Sequence, residues 1–134
     1  MSESSQSLSF LRRVLFADAA SCAGMGLGMM LFAAPLASLL NLPADAIGEV
    51  GILLLPCAAF ITYLATRRSP PRAGVWVVIA LNVLWVVESL ALLFTDWVQP
   101  NAFGIAFIVG QALVVALLAE LEYFGLRKSA AAAV

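Results

Sequence analysis

Charge is scarce in this sequence and histidine is absent. Seven Lys and Arg and eight Asp and Glu residues make up 11% of the 134 residues, whereas a soluble domain uses roughly a quarter of its residues to cover its surface with charge. That shortage excludes a soluble enzyme and a disordered segment, both of which need polar surface. A nucleic-acid binder needs a basic excess, and the net charge here is −1, so no nucleic-acid partner is expected. Without histidine, most zinc sites, histidine-ligated haem and imidazole general bases are excluded. The two cysteines, Cys22 and Cys57, are far apart in sequence and cannot complete a thiolate metal site alone. No metal and no cofactor is expected.

What the chain has in abundance is apolar surface. Hydrophobic residues make up 63% of it, and the mean hydropathy is +1.04. Such a chain belongs in lipid, and membrane lipid is its first expected partner. A membrane-crossing helix needs about 20 mostly apolar residues. Four stretches meet that need, at about 14–40, 46–66, 74–95 and 102–124. Long apolar runs without period-two alternation indicate helices rather than a barrel. The expectation is therefore an all-α integral membrane protein, a four-transmembrane-helix bundle forming a single domain over residues 1–134. Breaker residues separate the spans: Asn41-Leu42-Pro43, Ser69-Pro70-Pro71 and Gln99-Pro100-Asn101. Pro35 is expected to kink or end the first span, and Pro56 to kink the second. The alanine-rich residues 129–134 read as a flexible tail.

The few charges orient the bundle. Arg12 and Arg13 precede the first span, Arg67, Arg68 and Arg72 lie between the second and third, and Arg127 and Lys128 follow the fourth. All seven bases fall on one side, so the positive-inside rule places both termini in the cytoplasm of a bacterial inner membrane. Asp18 interrupts the apolar run after Arg12-Arg13, so the first span is expected to be retained rather than cleaved as a signal.

With orientation set, residue number becomes depth. Near the cytoplasmic face lie Asp18, Tyr63, Thr66, Glu120 and Glu122, whose acids read as anchors pairing with interfacial arginines such as Arg13 and Arg127. Asp18 is the deepest and shares a helical stripe with Cys22, Met25 and Met29. Asn82 lies deeper, at about the level of Cys22 and Cys57, where an amide commonly bridges helices. In the outer half, Glu88 and Gln111 reach similar depth on neighbouring antiparallel spans. A carboxylate there costs about 2.5–3.5 kcal/mol on insertion scales, so Glu88 should face the bundle. It is expected to be protonated, hydrogen-bonded to Gln111 or Ser89, wetted by a cavity, or paired with another subunit. Trp85 lies on the same side of its helix and either fills core volume or lines a ligand cavity. Ala20, Gly24 and Gly28 form a small-residue stripe that lets helices approach closely, and it is expected to pack within the monomer.

No Ser-His arrangement, phosphate-binding loop or close carboxylate pair is legible, so an enzyme is not expected. Two readings remain. In the first, the chain is a non-catalytic membrane protein that binds partners, as an accessory subunit of a larger membrane complex or as a homo-oligomer. In the second, it is a small channel or carrier for protons or a small solute, with Glu88, Gln111, Asn82 and Asp18 along the path.

Overall fold

The computed structural model describes residues 2–132. Among them are five helices: α1 (Glu3–Leu31), α2 (Ala33–Leu40), α3 (Ala44–Ala65), α4 (Arg72–Leu92) and α5 (Ala102–Ala132). Four of these, all but α2, are long and apolar enough to cross a membrane. Their outward faces carry large apolar side chains, including Leu53, Val87, Leu113 and Leu117. That pattern suits a hydrocarbon solvent, which imposes no cost on such exposure.

The ends of the helices differ from the hydropathy boundaries for local reasons. Helix α1 begins well before Val14, because Ser2 caps it by accepting the Ser5 N–H at 3.3 Å and Glu3 sits in the first turn. Pro35 has no N–H and its ring collides with the carbonyl four residues earlier. The chain therefore breaks ahead of it, at Phe32 (φ −119°, ψ 29°), and restarts as α2 with Pro35 in the first turn, where no N–H is needed. At the other end, α5 continues through Ser129 to Ala132, where the composition suggested a flexible tail. Alanine has the highest helix propensity, and no breaker intervenes; residues 133 and 134 lie outside the described region.

The long helices form a ring in the order α3, α1, α5, α4. Helix α1 packs extensively on α3 and on α5, and α5 on α4, while α3 and α4 touch sparingly. Across the diagonals, α1 to α4 and α3 to α5, the backbones do not approach. Helices α1 and α3 cross closely, where a Cβ on Gly26 would lie 2.9 Å from the Gly51 carbonyl oxygen. Only glycine allows that approach. This corrects the expected packing stripe: Ala20 and Gly24 are exposed, and a Cβ on Gly24 or Gly28 would have no neighbour within 4 Å. The small residue that packs is Gly26, because it faces the same side as the buried Ala19 and Met29.

Two apolar clusters hold the ends of the ring. At the arginine-bearing end, Leu11, Leu15, Leu64, Val75, Val78 and Leu126 are all buried. At the opposite end Met29, Ile47 and Leu54 form a smaller cluster. That end is also tied by polar bonds. Asn41, at φ 55° in the left-handed region that asparagine tolerates, donates Nδ2 to the Gln99 carbonyl at 2.6 Å. Asn101 caps α5 by accepting the Gly104 N–H at 2.9 Å, and its Nδ2 donates to the Leu39 carbonyl at 2.8 Å. Between the two clusters the ring is hollow.

Candidate functional site

The hollow is bridged by three polar side chains, one from each of three helices. Asp18 on α1, Asn82 on α4 and Glu122 on α5 are 1%, 7% and 0% exposed. The Asn82 amide donates Nδ2 to Asp18 Oδ2 at 2.8 Å and to Glu122 Oε2 at 3.2 Å. The two carboxyl groups thus face each other across a single amide nitrogen. Glu122 Oε1 is buried and receives no donor from any described residue. The triad thus joins α1 to α4 across a diagonal that the backbones leave open.

Each residue arrives there by helical register. Asp18 extends the buried stripe of Leu11, Val14 and Leu15, and Glu122 lies one turn from each of Leu118 and Leu126 on the inner face of α5. Both acids therefore point inward. Arg13 and Arg127, expected as their partners, make no ion pair with them among the described residues, and two other arginines bond to backbone: Arg12 Nε donates to the Ala65 carbonyl at 3.0 Å and Arg72 Nη1 to the Leu126 carbonyl at 3.3 Å. Ala65 ends α3, where the helix dipole favours a cation, whereas Leu126 lies within α5. This overturns the pairing of Asp18 and Glu122 with interfacial bases. Arg67 instead stacks over the Tyr63 ring at 4.3 Å.

Asp18 and Asn82 line an inner cavity of about 630 Å³ whose wall comes from all four long helices. Cys22 and Cys57 also line it, both as free thiols. Cys22 Sγ lies 3.7 Å from Asp18 Oδ1. Beyond it lies an outer cavity of about 570 Å³, nearer the α2 end, whose wall includes Glu88 and Ser89. Met25, Trp85, Phe107 and Gln111 belong to both. Between the two, Trp85 Nε1 donates to Gln111 Oε1 at 2.6 Å, and Gln111 Nε2 donates to the Ile108 carbonyl at 2.8 Å.

The sequence-expected residues are thus brought together only in part. Asp18 and Asn82 meet, and Trp85 and Gln111 meet. Glu88 does not bond to Gln111, which corrects the expected pair. A buried indole N–H needs an acceptor, and Trp85 takes the Gln111 oxygen, leaving Glu88 exposed on the outer cavity wall. Glu122 is the residue whose importance hydropathy concealed. It lies five positions before Arg127, as Asp18 lies five after Arg13. On antiparallel helices those offsets put the two acids at equal depth.

Chemically, the triad is a pair of carboxyl groups crosslinked by an amide, with no ion-pair partner among the described residues. Two like charges this close oppose joint ionisation, so the arrangement suits one proton shared between two acids. Among the described residues no group of three or more His, Cys, Asp or Glu side chains is disposed to hold a metal ion. Comparison with known protein families, with curated proteins and with solved structures finds no match to the chain.

Proposed function

We propose that the chain is a small multi-pass carrier or channel of the bacterial inner membrane, with both termini cytoplasmic, that takes protons across the bilayer through the Asp18–Asn82–Glu122 triad. The observation that carries this reading is the acid pair itself, fully buried and bonded to one amide at the wall of a cavity. A buried carboxyl pair is costly in a bundle that could have used leucine, and proton exchange is the function that accounts for that cost. Asn82 holds both acids in place whichever of them carries the proton. Glu88, on the outer cavity wall, serves as the acid facing the other side. The Trp85–Gln111 bond is the barrier between them, and its opening joins the cavities.

The experiment is proton flux in vesicles reconstituted with purified protein, under an imposed pH gradient with a potassium ionophore to dissipate charge. The wild type should acidify the lumen faster than empty vesicles. Glu122→Gln and Asp18→Asn should each reduce the rate to that of empty vesicles. Absence of flux from the wild type under gradients of either direction defeats the reading.

A second reading, a non-catalytic accessory or self-associating bundle, is favoured by one observation. The Ala20–Gly24–Gly28 stripe makes no close helix contact within the monomer, and such stripes join helices of separate chains in membranes. Cysteine crosslinking at position 24 in native membranes tests it, and a strictly monomeric product counts against it.

A further inference from the structure

We infer that the inner cavity is a binding site for a hydrophobic cation, an amine or onium centre carried on an apolar body, that enters sideways from the lipid and displaces the proton held by Asp18 and Glu122. The inference rests on the proton-exchanging triad and adds the ligand that competes with the proton.

Four observations lead to it. The first is size: about 630 Å³ falls within the range of small-molecule pockets. The second is access. On the α1 and α5 sides of the cavity, Ser21, Gly24, Gly110 and Val114 are exposed. A Cβ added at Gly24 or Gly110 would find no neighbour within 4 Å. This seam is closed at one end where Gly125 meets Leu11 and at the other where Gly104 meets Leu40. The gap between them is edged by small side chains and lies at the depth of the bundle's apolar outer face, so a molecule dissolved in lipid reaches it directly.

The third observation is the sign of the polar groups. Donors in the wall are already committed: Trp85 Nε1 to Gln111, Gln111 Nε2 to Ile108, Ser21 Oγ to Ala17, and Asn82 Nδ2 to the two acids. Cys22 Sγ sits against Asp18, and only the weak thiol of Cys57 is left as a donor. What the cavity offers is acceptors: the Asp18 carboxyl group and Asn82 Oδ1. The wall holds no cationic group to complement an anion. The fourth is the apolar lining, in which Phe60, Trp85 and Phe107 present aromatic surface. Aromatic faces attract cations, and most strongly when water is excluded.

The exchange balances in charge. With the pair protonated once, it carries one negative charge fewer than when both acids are ionised. Binding one monovalent cation releases that proton and restores the charge. The titratable groups facing the pair are Cys22 on α1 and Cys57 on α3, with Asn82 the facing group on α4. Arg12 and Arg72 lie beyond them at the helix ends.

The probes are tetraphenylphosphonium and tetraphenylborate, which have the same shape and opposite charge. Binding is measured to purified protein in lipid nanodiscs, with empty nanodiscs subtracted, and proton release is followed with a pH dye in weak buffer. The phosphonium should bind saturably, release close to one proton per bound cation, and bind up to tenfold more tightly per unit rise in pH while the pair is protonated. The borate should not bind above background. Asp18→Asn should weaken phosphonium binding at least tenfold and remove its pH dependence. Gly110→Phe fills the mouth without touching the triad and should also weaken binding at least tenfold, with helix content by circular dichroism unchanged. Equal binding of both ions, or phosphonium binding without proton release, overturns the assignment. Vesicles that pass protons while the protein binds no phosphonium refute the cation site and leave the proton reading standing. Phosphonium binding with proton release from a protein that passes no protons does the reverse.

Discussion

Replacing Asn82 with leucine isolates what the amide does for the two acids. Its Nδ2 makes two hydrogen bonds, at 2.8 Å to Asp18 and 3.2 Å to Glu122, and leucine, which has the same branching at Cγ but a larger volume, makes none. Hydrogen bonds between membrane helices average about 0.6 kcal/mol and reach about 1.7. Losing two therefore costs about 1–3 kcal/mol, directed onto acids that are 1% and 0% exposed. Neither acid can recover the loss from solvent, because neither reaches it. The α1–α4 diagonal loses its bridge at the same time. The assay is reversible unfolding in mixed micelles of increasing denaturing-detergent fraction, followed by far-ultraviolet circular dichroism. Asn82→Leu should lower stability by that amount. Replacing Asp18, Asn82 and Glu122 together by leucine should recover most of it, since a buried polar cluster exchanged whole for apolar packing is often neutral or stabilising. An Asn82→Leu protein as stable as the wild type to within about 0.3 kcal/mol would show that the triad is not held as described.

Other predictions follow from the same geometry. Gly26→Val drives a side chain into the Gly51 carbonyl and Leu54 and should destabilise the bundle by about 1–3 kcal/mol. Gly24→Ala and Gly28→Ala meet nothing and should stabilise it by up to about 1 kcal/mol through helix propensity. The same unfolding titration reads all three. Trp85→Phe keeps the ring but removes the donor to Gln111, and should raise the proton-flux rate in vesicles if that bond is the barrier between the cavities. A reporter fused at the C-terminus should be active only in its cytoplasmic form, and activity of the external form would reverse the proposed orientation.

The four long helices were legible because hydropathy and the proline-bearing turns are local properties. The break at Phe32 was legible from Pro35, displaced by the three residues over which proline acts upstream. The site was harder to read because depth along a helix and direction around it are separate quantities. Hydropathy placed Asp18 and Glu122 in one cytoplasmic layer with Asp18 the deeper, and nearness to Arg13 and Arg127 invited an ion-pair reading. Only packing showed that both acids turn inward and that Arg12 and Arg72 bind backbone carbonyls. For Glu88 the insertion cost of a carboxylate left several partners open: the bond to Gln111 is not made, because Trp85 takes the Gln111 oxygen, and Glu88 lines the outer cavity. Gly26 was missed for a related reason: it is isolated in sequence, and its partner Gly51 lies on another helix.

The most direct test of the shared proton is infrared difference spectroscopy across a pH titration, in lipid, of the wild type, Asp18→Asn and Glu122→Gln. The triad predicts a carbonyl stretch of a protonated carboxylic acid at neutral pH, shifted in Asn82→Leu and altered or lost in each acid variant, while Glu88→Gln leaves it unchanged. A wild-type spectrum without that band, or a band abolished only by Glu88→Gln, would contradict the account.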